Sequence, residues 1–456
     1  MVTTSKRDAT GLLAAGRSAC HQATETIKQA KHSLKALHAR LKRGRSRATF
    51  IAVTGSSGKS TTVSLLAHIL SADFKVRTQV GRNGFHNAVQ TLRQLTNEDQ
   101  FVVLELASDG PGHLDKVTRL VRPDISIVTL VALEHYTAFR TLEAVAEEKA
   151  TLVRALSNSG LAILNGDDAN VRAMAALTSA RSVVFGTSGA DYRATDVAAS
   201  AHGALAFALC HGNRRVGLDT QLIGAHNWLA VSAAVTCALE IGVSPATIAA
   251  RVASFAPIAQ RLSVHKIAGG PTFLLDTAKA PYHSILLPLE TLRSVIAPRK
   301  RFVLGQISDF RGNSNPKYRN VYNAAKGVAD EVIFVGANAH KARASLDDVQ
   351  QGKFRAFDSV EGLSAYLKDT ALDGEVILVK SAKNLHLERL MLDWVEGVRC
   401  WANECGSKSS CLDCGLYRKP FAEHSGRPRR DKRRLPALWG SKRGAPTSYP
   451  RETYRA

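Results

Sequence analysis

The chain has 456 residues, which is too long for one ordinary hydrophobic core, so two or three domains are expected. Its hydrophobic share of 45% and its near-neutral mean hydropathy are typical of soluble globular proteins. No stretch approaches the roughly 20 consecutive apolar residues of a membrane span, and no secretory signal opens the sequence. A cytoplasmic enzyme is therefore the expectation.

The net charge of +22 is concentrated at the two ends of the chain. Residues 1–48 carry eleven Lys and Arg against two acids, and residues 401–456 carry thirteen against five. The long middle is close to balance, so the basicity says little about the central chemistry. The basic run 427–434 is most simply a solvated tail, and contact of the basic ends with an anionic membrane surface is the alternative, whereas nucleic acid is not expected as a partner.

Residues 1–48 are predicted to form a basic amphipathic helix. Pro is absent from residues 8–44, and apolar side chains recur there at three- and four-residue steps with Lys and Arg between them. Two interpretations stay open: the helix docks on the protein's own core or on a partner subunit, or it lies on an anionic membrane. The apolar positions are Leu13, Cys20, Ala23, Ile27, Ala30, Leu34, Leu37 and Leu41.

Short apolar runs of the β type alternate with helical patterns from residue 49 onward. This alternation predicts an α/β central domain over residues 49–256, in which helices cover a mostly parallel sheet. The apolar runs are residues 50–53, 101–106, 125–130 and 161–164, and helical stretches such as 141–157 separate them.

A second αβ series begins at residue 257 and predicts a smaller Rossmann-like α/β domain over residues 257–398. Strands are expected at 272–275, 301–304, 331–335 and 375–379, and helices at 283–296, 318–328 and 383–396. Residues 399–456 are rich in Gly, Pro, Ser and Arg, and this composition predicts a disordered basic tail, apart from any local structure at its cysteines.

The segment from Thr54 to Thr62, which reads Thr-Gly-Ser-Ser-Gly-Lys-Ser-Thr-Thr, is a phosphate-binding loop between an apolar run and a helix. In such a loop, backbone N–H groups hold phosphate oxygens, a lysine neutralises charge, and a hydroxyl binds Mg²⁺. Lys59 and Ser60 fill the last two roles. The general pattern GxxxxGK[ST] is not fully kept, because its first glycine position is Val53. The predicted ATP-binding residues of the loop are Thr54, Gly55, Ser56, Ser57, Gly58, Lys59, Ser60 and Thr61.

This variant of the loop resembles that of the Mur ligase family, whose members use ATP to join a carboxylate to the amine of an amino acid or peptide. The resemblance extends through most of residues 50–395. It is closest to the branch that adds D-alanyl-D-alanine to the muramoyl tripeptide, which implies a role in making a cell-wall precursor.

The resemblance implies two Mg²⁺ sites beside the loop. Glu105 ends the apolar run Phe-Val-Val-Leu-Glu and takes the place of a carboxylate that holds Mg²⁺. His135 and Lys149 match residues of the second site, and the matching family lysine is carbamylated by CO₂. Carbamylation turns a repelling cation into an oxygen ligand, which suits the preference of Mg²⁺ for oxygen. Catalytic roles are therefore expected for Lys59, His135 and Lys149.

The resemblance also implies the contacts to the rest of the nucleotide. Asn227, in Gly-Ala-His-Asn, takes the place of a residue that approaches the adenine. Arg261 and Asp276 take the places of a phosphate-binding arginine and a ribose-binding aspartate. Lys279 stands in a segment that matches neither family pattern fully and is expected at the transferred phosphate. Asn83 resembles an asparagine that lines the site.

Two departures from the family limit the prediction of substrates. The muramoyl enzymes carry a uridine-nucleotide-binding domain before the loop, whereas only about 50 residues precede it in this sequence. The substrate then lacks UDP, is held otherwise, or is bound with help from a partner subunit. Residues 305–312, where the family recognises the incoming amine, show no pattern that identifies that amine.

Four cysteines crowd into residues 400–414, with the spacing Cys-x4-Cys-x5-Cys-x2-Cys. Four thiolates suit a tetrahedral Zn²⁺ site, but only the last pair has the usual spacing. An iron–sulfur cluster and reduced or mixed-disulfide cysteines are the alternatives. The residues are Cys400, Cys405, Cys411 and Cys414.

The sequence therefore predicts an ATP-dependent ligase that forms an amide bond between a small-molecule carboxylate and an amine, through an acyl phosphate. Two alternatives remain at this stage. One is a degenerate relative that binds ATP and acts as a regulatory or scaffold subunit, which the altered segment around Lys279 favours. The other is a P-loop ATPase or kinase that acts on a polyanionic partner through the basic tails.

Overall fold

The computed structural model describes residues 29–424, apart from residues 82, 135–137, 200–202, 404 and 408. The described chain holds two β-sheets with helices packed on them, so the predicted α/β class is confirmed. Within this part of the chain, no helix is both long enough and apolar enough to cross a bilayer.

The first sheet has nine strands in the order β2-β3-β1-β4-β5-β6-β7-β8-β9. Neighbours from β2 to β7 are parallel, and β8 and β9 extend the sheet as antiparallel strands. The strands are β1 Thr49–Thr54, β2 Val76–Gln79, β3 Phe101–Glu105, β4 Ile125–Val128, β5 Leu161–Asn165, β6 Arg181–Gly186, β7 Tyr192–Ala199, β8 Ala204–His211 and β9 Arg214–Ile223.

Eight helices of the described chain accompany this sheet. Strands such as β3 are buried along their whole length, which is why they read as continuous apolar runs and not as alternating ones. The helices are α1 (described over residues 29–45), α2 Lys59–Leu70, α3 Phe85–Arg93, α4 His113–Val121, α5 Leu142–Arg154, α6 Ala169–Ala173, α7 Trp228–Ile241 and α8 Pro245–Ala253.

The second sheet has six strands in the order β10-β11-β15-β12-β13-β14, of which only β10 is antiparallel to its neighbour. Its strands are β10 Ser263–Lys266, β11 Thr272–Asp276, β12 Lys300–Leu304, β13 Glu331–Val335, β14 Phe354–Phe357 and β15 Val376–Lys380. Its helices are α9 Leu287–Ser294, α10 Ser314–Ala325, α11 Leu346–Gln350, α12 Val360–Asp369, α13 Arg389–Val395 and α14 Cys411–Cys414.

The prediction of a disordered tail from residue 399 is wrong for the segment 399–424. Cys400, Cys411 and Tyr417 are buried in the core that covers one face of the second sheet. The backbone N–H groups of Arg399 and Cys400 both donate to the carbonyl of Tyr417. Scattered apolar side chains anchor this segment. The average composition of the tail is polar, so it did not indicate that these individual side chains are buried. Residues 425–456 lie outside the described residues.

The predicted N-terminal helix is present over residues 29–45, but its leucines do not face the sheet. Leu34, Leu37 and Leu41 are 66%, 52% and 49% exposed, whereas the small Ala39 is fully buried. Arg43 fastens the helix end, because its guanidinium donates to the carbonyl of Val121 at 2.6 Å and lies over the ring of Phe50. Docking on the core therefore uses a narrow face of small and charged residues. The earlier part of the predicted helix lies outside the described residues.

Candidate active site

The phosphate-binding loop joins β1 to α2 at the carboxyl edge of the first sheet. The loop backbone is held from the β4 side: Ser56 N–H donates to Leu130 O at 2.7 Å, and the Thr129 hydroxyl donates to Ser57 O at 2.6 Å. The Lys59 ammonium is buried and donates to the carbonyl of Gly55. Contacts within the loop and with β4 thus fix the loop backbone and the position of its lysine.

Gly55 is required by both its conformation and its surroundings. Its φ of 142° lies in the region that side chains rarely adopt. A Cβ built on Gly55 would lie 2.0 Å from Oγ1 of Thr129. Thr54 and Gly55 therefore support the loop from beneath, while Ser56, Ser57, Gly58, Lys59, Ser60 and Thr61 line the cleft above it.

Replacing Gly55 with alanine is expected to weaken ATP binding by roughly tenfold or more, because the loop must move away from Thr129. Gly269→Ala is a matched control: this glycine, in the turn between β10 and β11 and outside the cleft lining, also has a positive φ, of 66°, but nothing lies within 4 Å of its added Cβ. Equilibrium binding of a fluorescent ATP analogue measures both. Equal losses in the two variants would mean that the contact with Thr129 does not matter.

Glu105 joins the loop to the neighbouring strands. The Ser60 hydroxyl donates to Oε2 of Glu105 at 2.8 Å, and Asn83 donates to Oε1 at 3.0 Å. Burial raises the pKa of Glu105, but the charge of Lys59 and the hydrogen bond from Gly81 N–H outweigh it, so the pKa lies below its ordinary value. An ionised carboxylate beside a hydroxyl is an oxygen donor set that fits Mg²⁺.

Lys149 lies on α5, buried behind the loop, and pairs with the carboxylate of Glu134. Burial lowers the pKa of Lys149 to about 8, although Glu134 opposes this shift, and the nearby charge of Lys59 lowers the pKa further. The two preceding residues have different surroundings. Glu147 is exposed and pairs with Arg154, whereas the buried Glu148 accepts the Leu114 N–H at 2.6 Å. Three consecutive charged residues on a helix usually form one solvated face, but here only Glu147 is exposed.

His135, the other predicted ligand of the second Mg²⁺ site, lies outside the described residues. The segment before it is described, and Asp168 holds it in place by accepting the Val131 N–H at 2.6 Å. Asp168 also caps α6 through the N–H groups of Asn170 and Val171. Asp168, in the Asn-Gly-Asp-Asp turn of residues 165–168 that follows β5, therefore has a structural role.

Residues of the second domain reach the phosphate-binding loop. The Arg261 guanidinium donates to the Ser60 hydroxyl at 3.0 Å, and His283 Nε2 lies 3.0 Å from the Ser57 hydroxyl. Gln260 and Leu262, on either side of Arg261, have φ values of 61° and 52°. Two left-handed residues that are not glycine, one on each side of Arg261, store local strain, which is common where a functional side chain is held in position.

Asp276 ends β11 and forms an ion pair with Lys380 at the end of β15, with 2.6 Å between the two side chains. Lys380 also donates to the carbonyl of Lys279 at 3.0 Å, so it holds the Lys279 segment against the sheet. The predicted site residues Asp276 and Lys279 therefore depend on a buried lysine that the sequence did not single out. The sequence contained one signal for Lys380, which is its position directly after the predicted strand 375–379.

Asn227 precedes α7 and lines the cleft, and its side-chain amide donates to Ile223 O at 2.7 Å. The neighbouring His226 also lines the cleft. Burial lowers the pKa of His226, although the charge of Asp276 opposes this. Gly224, just before them, has a φ of 92°, and an added Cβ would lie 2.6 Å from Oγ1 of Thr291 in the second domain. The turn is thus built where the two domains meet.

Most of these residues line one cleft that opens to solvent between the two sheets. The carboxyl ends of parallel strands from both sheets point into it, which is the usual place for a ligand in open α/β folds. Its lining includes Ser56, Ser57, Gly58, Lys59, Ser60, Thr61, Glu105, His226, Asn227, Arg261, Asp276, Lys279 and Lys380. Lys149 and Glu134 lie outside this lining.

The fold defines a two-domain α/β protein whose P-loop lies at a cleft between its domains. Comparison with known proteins agrees. The Mur ligase middle domain matches residues 53–238, and the Mur ligase glutamate ligase domain matches residues 260–383. The chain belongs to the Mur ligase family, and it is an ATP-dependent ligase that forms a carbon–nitrogen bond. ATP and Mg²⁺ are the cofactors of this family.

Two curated relatives and two solved structures illustrate the similarity. The UDP-N-acetylmuramoyl-tripeptide–D-alanyl-D-alanine ligase of Bacillus subtilis is 24% identical over 357 residues, which is 76% of each chain. The enzyme of the same name from Escherichia coli is 27% identical over 360 residues, 77% of this chain and 78% of its own.

MurF from Acinetobacter baumannii has a TM-score of 0.72 at 24% identity and covers 80% of each chain. MurF from Thermotoga maritima, solved in complex with ADP, has a TM-score of 0.68 at 21% identity and covers 80% of this chain and 83% of its own. These two similarities establish the fold.

Proposed function

We propose that this ligase joins the carboxylate of a peptide precursor of the cell wall to the amino group of an amino acid or a dipeptide, through an acyl phosphate. One observation carries the proposal. The hydrogen bond from Arg261 to Ser60 brings a second-domain cation onto a hydroxyl of the phosphate-binding loop. The names of the relatives supply the class of acid and amine.

The residues of the cleft divide the binding of ATP between the two domains. We assign the phosphates to the loop N–H groups, Lys59 and Arg261, since these donors converge at one edge of the first sheet. We assign the adenine contact to Asn227 and the ribose contact to Asp276, whose carboxylate is oriented by Lys380. Lys279 stands at the mouth of the cleft, where its ammonium can meet the phosphate that is transferred.

The reaction needs positioning and charge neutralisation more than a base. The substrate carboxylate attacks the γ-phosphate, so an oxygen–phosphorus bond forms and ADP leaves. The amine then attacks the acyl carbon, and inorganic phosphate leaves as the amide forms. Lys59, Arg261 and Lys279 stabilise the charge of the transferred phosphoryl group. The contact of His283 with Ser57 helps the second domain exclude water, which would hydrolyse the acyl phosphate.

Two Mg²⁺ ions are part of the proposal, and they would neutralise charge on the phosphate oxygens and the carboxylate. Ser60 and Glu105 would hold the first ion. Lys149 as a carbamate and His135 would hold the second. CO₂ adds to a neutral amine, and a pKa of about 8 leaves Lys149 partly neutral near physiological pH. The carbamate would stand beside Glu134, and two neighbouring anions favour a bound cation.

The remaining proposals concern location, partners and the cysteines. We propose that the enzyme works in the cytoplasm on small-molecule substrates. A partner subunit or an anionic membrane surface is proposed for α1, whose Leu34, Leu37 and Leu41 are exposed. A zinc ion among the C-terminal cysteines is a separate proposal, since none of those cysteines lines the cleft.

The test of the proposed function is amine-dependent release of ADP. Purified protein with ATP and Mg²⁺ is scanned against pairs of acids and amines, beginning with UDP-muramoyl-tripeptide and D-alanyl-D-alanine. We expect ADP release that needs both partners and yields an amide seen by mass spectrometry. ADP release without an amine, or none with any pair, would contradict the proposal. A chain ending at residue 424 should keep this activity, whereas a polyanion-dependent ATPase should lose its stimulation.

A further inference from the structure

A second cluster of reactive side chains lies away from the cleft, where the chain turns from β15 into α13. His386 and Glu388 come from this turn, and Cys411 comes from the first position of α14. The nitrogen, oxygen and sulfur atoms that these three residues offer lie within 4.8 Å of one another, and all three residues are buried. Metal-binding sites bring such donors together in this way.

Cys405 extends the cluster on the other side of the histidine ring. Its Sγ lies 3.2 Å from Nε2 of His386, while Nδ1 of His386 lies 3.4 Å from Oε1 of Glu388. The ring of His386 therefore stands between a thiol and a carboxylate. None of the four C-terminal cysteines forms a disulfide in the described structure.

Glu388 is the residue whose surroundings most need an ion. Its side chain is fully buried, Oε1 accepts the Cys411 N–H at 2.8 Å, and Oε2 has no hydrogen-bond partner. The adjacent Arg389 does not neutralise it, because the Arg389 guanidinium donates to backbone carbonyls. A buried carboxylate oxygen without a partner is costly, and natural proteins pair such groups or place them on a metal.

We propose that His386, Glu388 and Cys411 bind one structural Zn²⁺ ion. Imidazole nitrogen, carboxylate oxygen and thiolate sulfur are the ligands of zinc, and a tetrahedral site with three protein ligands takes a water molecule as its fourth. The unpartnered oxygen of Glu388 would become a ligand, and the Cys411 thiol would lose its proton to the solvent on binding. This ligand set differs from the four cysteines that the spacing predicted. Cys400 and Cys414 are near enough for their charges to interact electrostatically with the cluster.

The ion would fasten the segment after α13 to the second sheet. Cys411 belongs to that segment, whereas His386 and Glu388 belong to the turn that follows β15. Arg389 joins the same two parts by donating to Leu385 O on one side and to Cys400 O on the other. The zinc therefore has a folding role, and its removal should release this segment from the domain core.

The test measures the zinc content of the full-length protein by mass spectrometry of the metal, after exposure to Zn²⁺ and exhaustive dialysis. We expect one zinc per chain. Cys411→Ser, Glu388→Gln and His386→Asn should each weaken zinc binding by about tenfold or more. Asparagine tolerates the φ of 50° at position 386, so that variant keeps the backbone. Cys210→Ser, at a half-buried cysteine on β8, is the matched control and should keep its zinc.

Two further measurements keep the result independent of folding failures. Chelation should lower the thermal midpoint of the wild type but not that of Cys411→Ser. Co²⁺ in the wild-type site should show a thiolate charge-transfer band and a tetrahedral visible spectrum. Absence of bound zinc, or of these bands, would overturn the proposal. Loss of zinc in Cys400→Ser and Cys414→Ser, with retention in His386→Asn and Glu388→Gln, would overturn this ligand set in favour of four thiolates.

Discussion

Replacing Lys59 with alanine should reduce amine-dependent ADP release by roughly 10²- to 10³-fold, because one cation aimed at the transferred phosphate contributes that much. The Lys59 ammonium is buried among loop carbonyls and near Glu105, whose pKa it helps to lower. Removing it takes away a charge that no other described side chain of the loop supplies. Steady-state rates at saturating ATP measure the loss.

The control for Lys59 is Lys75→Ala, at an exposed lysine directly before β2 and outside the cleft lining. That variant should turn over at the wild-type rate. Thermal unfolding of both variants shows whether the fold survives. If Lys59→Ala keeps more than about a tenth of the activity while folded, the loop does not position the reacting phosphate, and the proposed mechanism is wrong.

Replacing Lys149 with alanine should also abolish most turnover, by roughly 10²-fold or more, since a ligand of the second Mg²⁺ site would be lost. Removal of CO₂ and bicarbonate from the assay should lower the wild-type rate for the same reason. The neutral fraction of Lys149 rises as pH increases through about 8, so dependence on added CO₂ should be strongest below that pH. The readout is ADP release in degassed and bicarbonate-supplied buffer.

A small carboxylate can distinguish loss of a ligand from loss of structure. The Lys149 variant loses an ion pair with the buried Glu134, which alone costs about 3–5 kcal/mol of stability. Acetate or formate fills the space of a carbamate and should restore part of the activity if an anion is needed there. Lys116→Ala, at an exposed lysine on α4, should respond to neither treatment. An active Lys149→Ala enzyme would rule out the carbamate and favour a structural lysine.

Much of the active site was open to prediction because its signals are local. The phosphate-binding loop is one continuous segment between a strand and a helix, and Glu105 ends the next strand in space. The role of Lys149 was harder to predict, because the consecutive charged residues Glu147, Glu148 and Lys149 are also typical of the solvated surface of a helix. The structure gives each of the three a different surrounding, which depends on how α5 packs and not on its own sequence.

The tail shows the opposite case, in which the local pattern misled. Its average composition predicted disorder, yet Cys400, Cys411 and Tyr417 are buried against the second sheet. Leu34 and Leu37 form the regular stripe of a helix that should dock, yet they are exposed. Composition and periodicity indicate which residues can be buried. Whether they are buried depends on the surface of the fold against which the segment packs.

The phosphate-binding loop, the α/β class and the family were determined by the sequence alone, because each rests on residues adjacent in the chain or on regular alternation. Only the tertiary structure decided how the cleft is closed and how the cluster around His386 is assembled. Arg261 and Ser60 are 201 residues apart, and His386 and Cys405 are 19 apart. No short-range preference of the backbone specifies such contacts, since they form only when two separately folded sheets and their connecting segments pack together.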